Sequence, residues 1–113
     1  MDQVDEIAAA RGPGSGLTCQ VRGFNVDGAV ATALPGFDEV VFPSHYGGRV
    51  GAGDVGANRA ADLLAGPGPD PTAVSTVKSY WYTGASLAQI PISFVAFPGT
   101  LYGVNPSAGL LGY

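Results

Sequence analysis

The stretch LTCQVRGFNVDGAVATAL, residues 17–34, decides the fold class. Leu17, Cys19 and Val21 alternate with Thr18, Gln20 and Arg22, the two-residue period of a strand with one buried face. Gly23 shifts the phase to Phe24 and Val26, and a glycine at a phase change predicts a β-bulge. Asp27-Gly28 stands between two apolar runs, a hairpin signal because both central residues of such a turn accept a positive φ. Residues 17–26 are therefore expected to pair with residues 29–34. Pro35-Gly36 is expected to close the second strand, and residues 39–42 to form a third short one ended by Pro43.

Working outward, residues 2–10 read as two turns of helix. Asp2 caps it, Val4, Ile7 and Ala8 share a face, and Asp5 and Glu6 suit the dipole of the first turn. Gly12-Pro13-Gly14 ends it. Such a short helix is marginal alone and needs something to dock on, so residues 1–16 read as an N-terminal arm. Residues 17–97 read as the β core, interrupted by Gly/Pro-rich loops at 43–57 and 66–71. Within the core, residues 47–56 read as an irregular loop and residues 58–65 as a short helix stopped by Gly66. Val74, Thr76, Val77, Tyr80, Trp81 and Tyr82 make residues 72–83 the strongest strand of the second half. Residues 90–97 form another, with both faces largely apolar. Pro91 cannot donate to a ladder, so that strand lies at an edge or carries a bulge.

The expected fold is mainly β: one small sandwich or barrel-like sheet with one or two short helices. Residues 98–113 are Gly-punctuated and uncharged, yet carry Leu101, Tyr102, Val104, Leu110, Leu111 and Tyr113. They read as a tail that either wraps over its own core or docks in a partner's groove.

Composition narrows the function. A typical chain is roughly 25% charged; this one of 113 residues is 12% charged and 46% hydrophobic, with a net charge of −4. A domain this small buries only about 60–70% of the surface that its unfolded chain exposes. Much neutral or apolar surface must therefore remain, and large apolar patches mark contact sites. Lys78, Arg11, Arg22, Arg49 and Arg59 are scattered, whereas nucleic-acid binding needs a clustered basic face. No run reaches the length of an apolar membrane span. The acidic start is the wrong charge for a secretory signal. Direct nucleic-acid or membrane contact is accordingly not expected, and assembly in a host cytoplasm is.

The motifs that could carry chemistry fall short. Residues 51–56 match G-x-G-x-x-G, the pattern of a phosphate loop at a helix start, but Asp54 sets a carboxylate where phosphate belongs. Ser75-Thr76-Val77-Lys78 matches S-x-x-K, but Ser75 and Lys78 face opposite ways on a strand. Residues 84–88 loosely resemble a nucleophile elbow, with His45 as the chain's single histidine. One Cys and one His make no zinc centre, and Cys19 reads as a small buried hydrophobe. Asp38 and Glu39, adjacent on a strand, point to opposite faces and keep an edge soluble. No catalytic residue, cofactor or metal is expected.

Tyr80-Trp81-Tyr82 is the most informative cluster, because aromatic residues anchor cores and interface hot spots. The residues expected to bind a partner are these three together with Phe97, Leu101, Tyr102, Leu110, Leu111 and Tyr113. The reading is a non-enzymatic structural subunit of a symmetric, homo-oligomeric assembly, contacting its own copies or a major shell protein. A bacteriophage capsid-decorating or minor capsid protein, located in the virion, fits that character. Two rivals stand beside it: a carbohydrate- or receptor-binding module using the three aromatics as a platform, and a nucleotide-binding enzyme using residues 51–56.

Overall fold

The computed structural model describes residues 6–53 and 62–108. Among them the fold is entirely β. The strands are β1 (Glu6–Ala10), β2 (Cys19–Asp27), β3 (Val30–Phe42), β4 (Gly48–Gly53), β5 (Asp62–Pro67), β6 (Thr76–Tyr82) and β7 (Leu87–Val95). They form two antiparallel sheets, β1-β2-β3 and β4-β5-β6-β7.

The decisive stretch folds as a hairpin, with Asp27 paired to Val30 and Phe24 to Ala33. The turn is shifted by one residue from the expected one. Gly28 and Ala29 are central, and of the two only Gly28 has a positive φ, 63°. This is the glycine-first requirement of a type II′ turn. The phase change at Gly23 marks a true register break: Arg22 pairs with Asp38, yet Phe24 pairs with Ala33. The extra residues lie on β3, which runs unbroken to Phe42 instead of ending at Pro35-Gly36. Phe37 folds back over Gly23, where any Cβ would overlap its ring.

Neither expected helix forms within the described residues. Glu6–Ala10 is strand β1, paired with β2 from Asn25 to Val21. A helix of two turns has too few internal hydrogen bonds to stand alone, whereas the ladder satisfies this backbone and sets Ala8 and Ala10 against the core. Residues 62–65 of the second expected helix belong to β5. Residues 2–5 and 58–61 lie outside the described residues. The expected loop at 47–56 is also corrected, since Gly48–Gly53 is strand β4.

Pro91 behaves as its chemistry demands: β7 is an edge strand, and the register slips by two residues between Lys78↔Ser93 and Ser79↔Ile90. Both sheets share one core. Cys19, Val21, Phe37, Val41 and Phe42 come from the first sheet, and Leu63, Ala65 and Tyr80 from the second. Burial pushes the Cys19 thiol up to about 11, against a weaker opposing pull from Lys78. It acts as core, as its place in an apolar alternation implies. Two seams join the sheets. On one side Gly48 N donates to Arg11 O at 3.0 Å and Gly47 N to Leu17 O at 2.7 Å. On the other, the Tyr82 hydroxyl donates to Pro35 O, and Lys78 Nζ to Val41 O at 3.0 Å.

Candidate interaction surface

Pairing sorts the second sheet into two faces. Leu63, Ala65, Tyr80 and Tyr82 point into the core. Gly51, Gly53, Leu64, Gly66, Val77 and Trp81 point out. Every residue of β5 is nevertheless buried, because a second layer covers its outer side. After a turn at 97–100, Gly103 N donates to Ala73 O and Val104 N to Pro67 O, each at 3.2 Å. The chain then runs along β4 and β5. Val104 lies over Gly66, Pro106 over Gly51 and Ala108 over Gly53, so closely that a Cβ on any of these glycines would overlap it. The Gly51-Ala52-Gly53 half of the phosphate-loop pattern is thus a strand that floors the chain's own later segment. Asp54, Val55 and Gly56 lie outside the described residues.

That segment resolves half of the question about residues 98–113. Val104 and Pro106 are buried on the chain's own sheet, whereas Leu101 and Tyr102 are 45% and 60% exposed. Leu110, Leu111 and Tyr113 lie outside the described residues. A groove of about 320 Å³ runs between this segment and the β6–β7 face, lined by Leu64, Val77, Ile92, Phe94 and Pro106 among others.

The three aromatics separate as alternation requires. Tyr80 is 5% exposed and belongs to the core, not to a contact surface. Burial, reinforced by Glu39 and Cys19, pushes its hydroxyl up to about 12. Tyr82 stacks on Phe37, ring centroids 5.2 Å apart, with its hydroxyl tied to Pro35. Trp81 alone projects outward, 45% exposed. The trio therefore forms no common platform.

The exposed apolar side chains gather elsewhere. Phe94, Val95, Phe97, Leu101 and Tyr102 are 42–60% exposed around the start of β6 and the end of β7, with Val74 beside them. No charged residue occurs anywhere after Lys78, so β7 and the segment that follows it add no charged neighbour to this end of the sheet. Sequence reasoning found Phe97, Leu101 and Tyr102 but missed Phe94 and Val95. The uncharged run from residue 79 onward was the signal available for them.

The motif residues have structural occupations. Ser75 is fully buried, its hydroxyl bonded to Phe97 N at 2.8 Å and Phe97 O at 3.0 Å. Lys78 lies 4.6 Å from the Phe42 ring centroid. Asp38 accepts from Gln20 and faces Arg22 at 3.6 Å. His45 is exposed at the rim of a cavity of about 330 Å³ shared with Ser44, Asp70, Thr72 and Val74. Among the described residues no three His, Cys, Asp or Glu side chains converge as metal ligands would.

Asp70 organises that loop. Its carboxylate accepts from Thr72 N and Thr72 Oγ1, both at 2.8 Å, and from His45 N at 2.9 Å. The Thr72 bonds first, then the His45 amide, hold it below the usual carboxylate value, outweighing burial. A carboxylate with a depressed folded value stabilises the fold above its unfolded value, near pH 4, and loses that contribution as pH falls through the folded value. Asp70→Asn is accordingly expected to lower stability at pH 7 and to flatten the loss below pH 4. Urea unfolding at pH 7 and pH 3 measures both; an unchanged acid limb in the variant would contradict this role.

Comparison with protein-family models, with curated proteins and with solved structures yields no match.

Proposed function

We propose that this chain is a non-enzymatic structural subunit of a symmetric protein assembly, a virion component of the capsid-decorating or minor-capsid kind built by a bacteriophage. The observation that carries the reading is the uncharged apolar end of the second sheet, where Phe94, Val95, Phe97, Leu101 and Tyr102 stand in solvent. Fully burying a large apolar side chain contributes roughly 1.5–3 kcal/mol, so covering even the part of this end that lies on one face supplies a drive to associate. The polar groups that could do chemistry are spent on the chain's own backbone, as with Ser75, Lys78 and Asp70. The virion assignment rests on character: a small chain with sparse charge and apolar contact surface suits many copies laid on a shell.

The test is native mass by sedimentation velocity across concentration. The wild-type chain of 11.4 kDa is expected to sediment as a larger species. Phe97→Ser combined with Tyr102→Asn is expected to reduce it to a smaller species with its near-UV spectrum intact. Both side chains are 60% exposed, and Tyr102 has φ 74°, a region asparagine tolerates better than tyrosine. A wild-type chain that stays monomeric at millimolar concentration would remove the reading.

A further inference from the structure

We propose that the free edge of β3 at residues 28–34 is the seam through which two copies of this chain join, antiparallel, about a two-fold axis. This deepens the assembly reading above by naming one of its contacts.

Sheet edges pair with foreign strands unless something guards them. Among the described residues the two sheets have four edges, β1, β3, β4 and β7, and several stretches of them are guarded. Among the described residues β1 covers Glu6–Ala10, and its end is stitched to the start of β4 through Arg11 and Gly48. β7 carries Pro91 and a two-residue register slip. The second half of β3 carries Pro35, the kink at Gly36 with φ 71°, Asp38 and Glu39.

The first half of β3 has none of these guards. Residues 28–34, Gly-Ala-Val-Ala-Thr-Ala-Leu, contain no charge and no proline, and all but the half-buried Leu34 are exposed. The hairpin also fixes which backbone groups are free. Flanking a two-residue turn, Asp27 and Val30 exchange ladder bonds, and so do Asn25 and Thr32 two residues on. The N–H and C=O groups of Ala31 and Ala33 therefore point away from β2. Among the described residues no other backbone group bonds to either residue.

A second copy fits this edge better than other strands do. An antiparallel edge is complementary to itself, because a two-fold axis sets each donor against the acceptor of its twin. Copies that each carry a net charge of −4 repel, but residues 28–34 carry no ionised group of their own, the nearest charges being Asp27 opposite Val30 and Arg22 over the Phe24 ring on β2. A basic or acidic peptide finds no opposite charge on it. The side chains agree: Ala31 and Ala33 share a face with Val26, Phe24 and Ile7, and Ile7 is 53% exposed. Pairing joins two such apolar strips across the axis.

The experiment is sedimentation velocity on the full chain with two edge variants. Ala31→Pro removes an outward donor while the inward ladder, carried by Val30 and Thr32, stays whole. Ala33→Lys keeps every backbone group and sets like charges against each other near the axis; it decides the matter if the proline variant does not fold. Each is expected to weaken self-association at least tenfold with little change in thermal midpoint. Edge variants that associate as the wild type does would overturn the seam. If the Phe97/Tyr102 variant dissociates in the same series, the assembly reading survives that failure. A wild-type chain that never associates overturns both.

Discussion

Gly51→Val is expected to lower the thermal unfolding midpoint by roughly 10–15 °C and to free residues 104–108 from the second sheet. Gly51 has an ordinary backbone conformation, so valine meets no torsional penalty there. The obstacle is room. A Cβ at this position overlaps the backbone of Pro106, which cannot swing aside as a flexible side chain can. The covering segment must lift, which wets Val104 and Pro106 together with the outer side of Leu64, all buried in the native chain. Fully burying a Val or Leu side chain contributes roughly 1.5–3 kcal/mol, so exposing two costs about 3–4 kcal/mol. In a domain of this size about 4 °C of midpoint follows each kcal/mol. Hydrogen exchange gives the local readout. The amides of Gly103 and Val104, bonded to Ala73 and Pro67, should lose protection, while that of Val21 keeps it. Gly16→Ala is the control, since nothing lies within 4 Å of its added carbon. Retained protection at Val104 in Gly51→Val would show that the glycines are not a floor. For the same reason, truncation from residue 101 is not a clean test of docking, because it strips the cover from β5 as well.

That floor explains why part of the fold was illegible in the sequence. The β2–β3 hairpin could be read because one face is wet and one is buried, which prints a two-residue period. The Pro91 edge could be read because a missing donor is a local fact. β5 could not. Leu63, Leu64 and Ala65 are buried on both faces, so no period survives, and Leu and Ala favour helix when nothing else speaks. β4 failed for a related reason. Glycine is disfavoured in strands unless another backbone approaches closely, and the approaching backbone lies more than fifty residues downstream. The exposed apolar side chains were legible in part: Phe97, Leu101 and Tyr102 stood out as apolar residues on a segment without charge. Tyr80 was misplaced because an aromatic triplet looks alike whether its strand faces a core or a partner. The face follows from the partner strands, through Leu63↔Tyr80 and Tyr80↔Gln89.

The charges the chain does carry reinforce the contrast between its two sheets. Arg22 sits 3.6 Å from Asp38 and 5.0 Å from the Phe24 ring centroid, so the outer face of the first sheet holds a half-exposed ion pair. Exposed pairs of this kind contribute little to stability, but they keep a face wet. Lys78, the chain's single lysine, bridges the sheets through Val41 O. Beyond it, 35 residues carry no charge. The first sheet is thus solvated on its outer face and unguarded along one edge, while the second is apolar at one end. Two dissimilar regions of this kind on one subunit would allow assemblies larger than a dimer if both contact other copies.

Ser75→Val is expected to cost about 3–4 kcal/mol and to weaken association through the apolar end of the second sheet without altering an exposed residue. The side chain shows no surface to solvent, so the added methyl volume overpacks a filled site, typically at 1–3 kcal/mol. The lost hydroxyl also leaves Phe97 N–H without the acceptor it has at 2.8 Å, and an orphaned buried donor costs roughly 1–3 kcal/mol. The two contributions separate experimentally: Ser75→Ala removes only the hydroxyl, and Ser75→Thr adds only a methyl. The functional consequence follows from what the hydroxyl holds. Phe97 N and O are both bonded to it, and Phe97 O also accepts from Thr100 N at 3.0 Å, closing the turn that presents Leu101 and Tyr102. Ser75→Ala should therefore loosen the apolar end while the core stays folded, weakening self-association about tenfold at a midpoint only a few degrees lower. If Ser75→Ala assembled as the wild type does, the ordering of the 97–102 turn would be irrelevant to the contact. If Ser75→Thr alone reproduced the loss, packing and not the hydroxyl would be responsible.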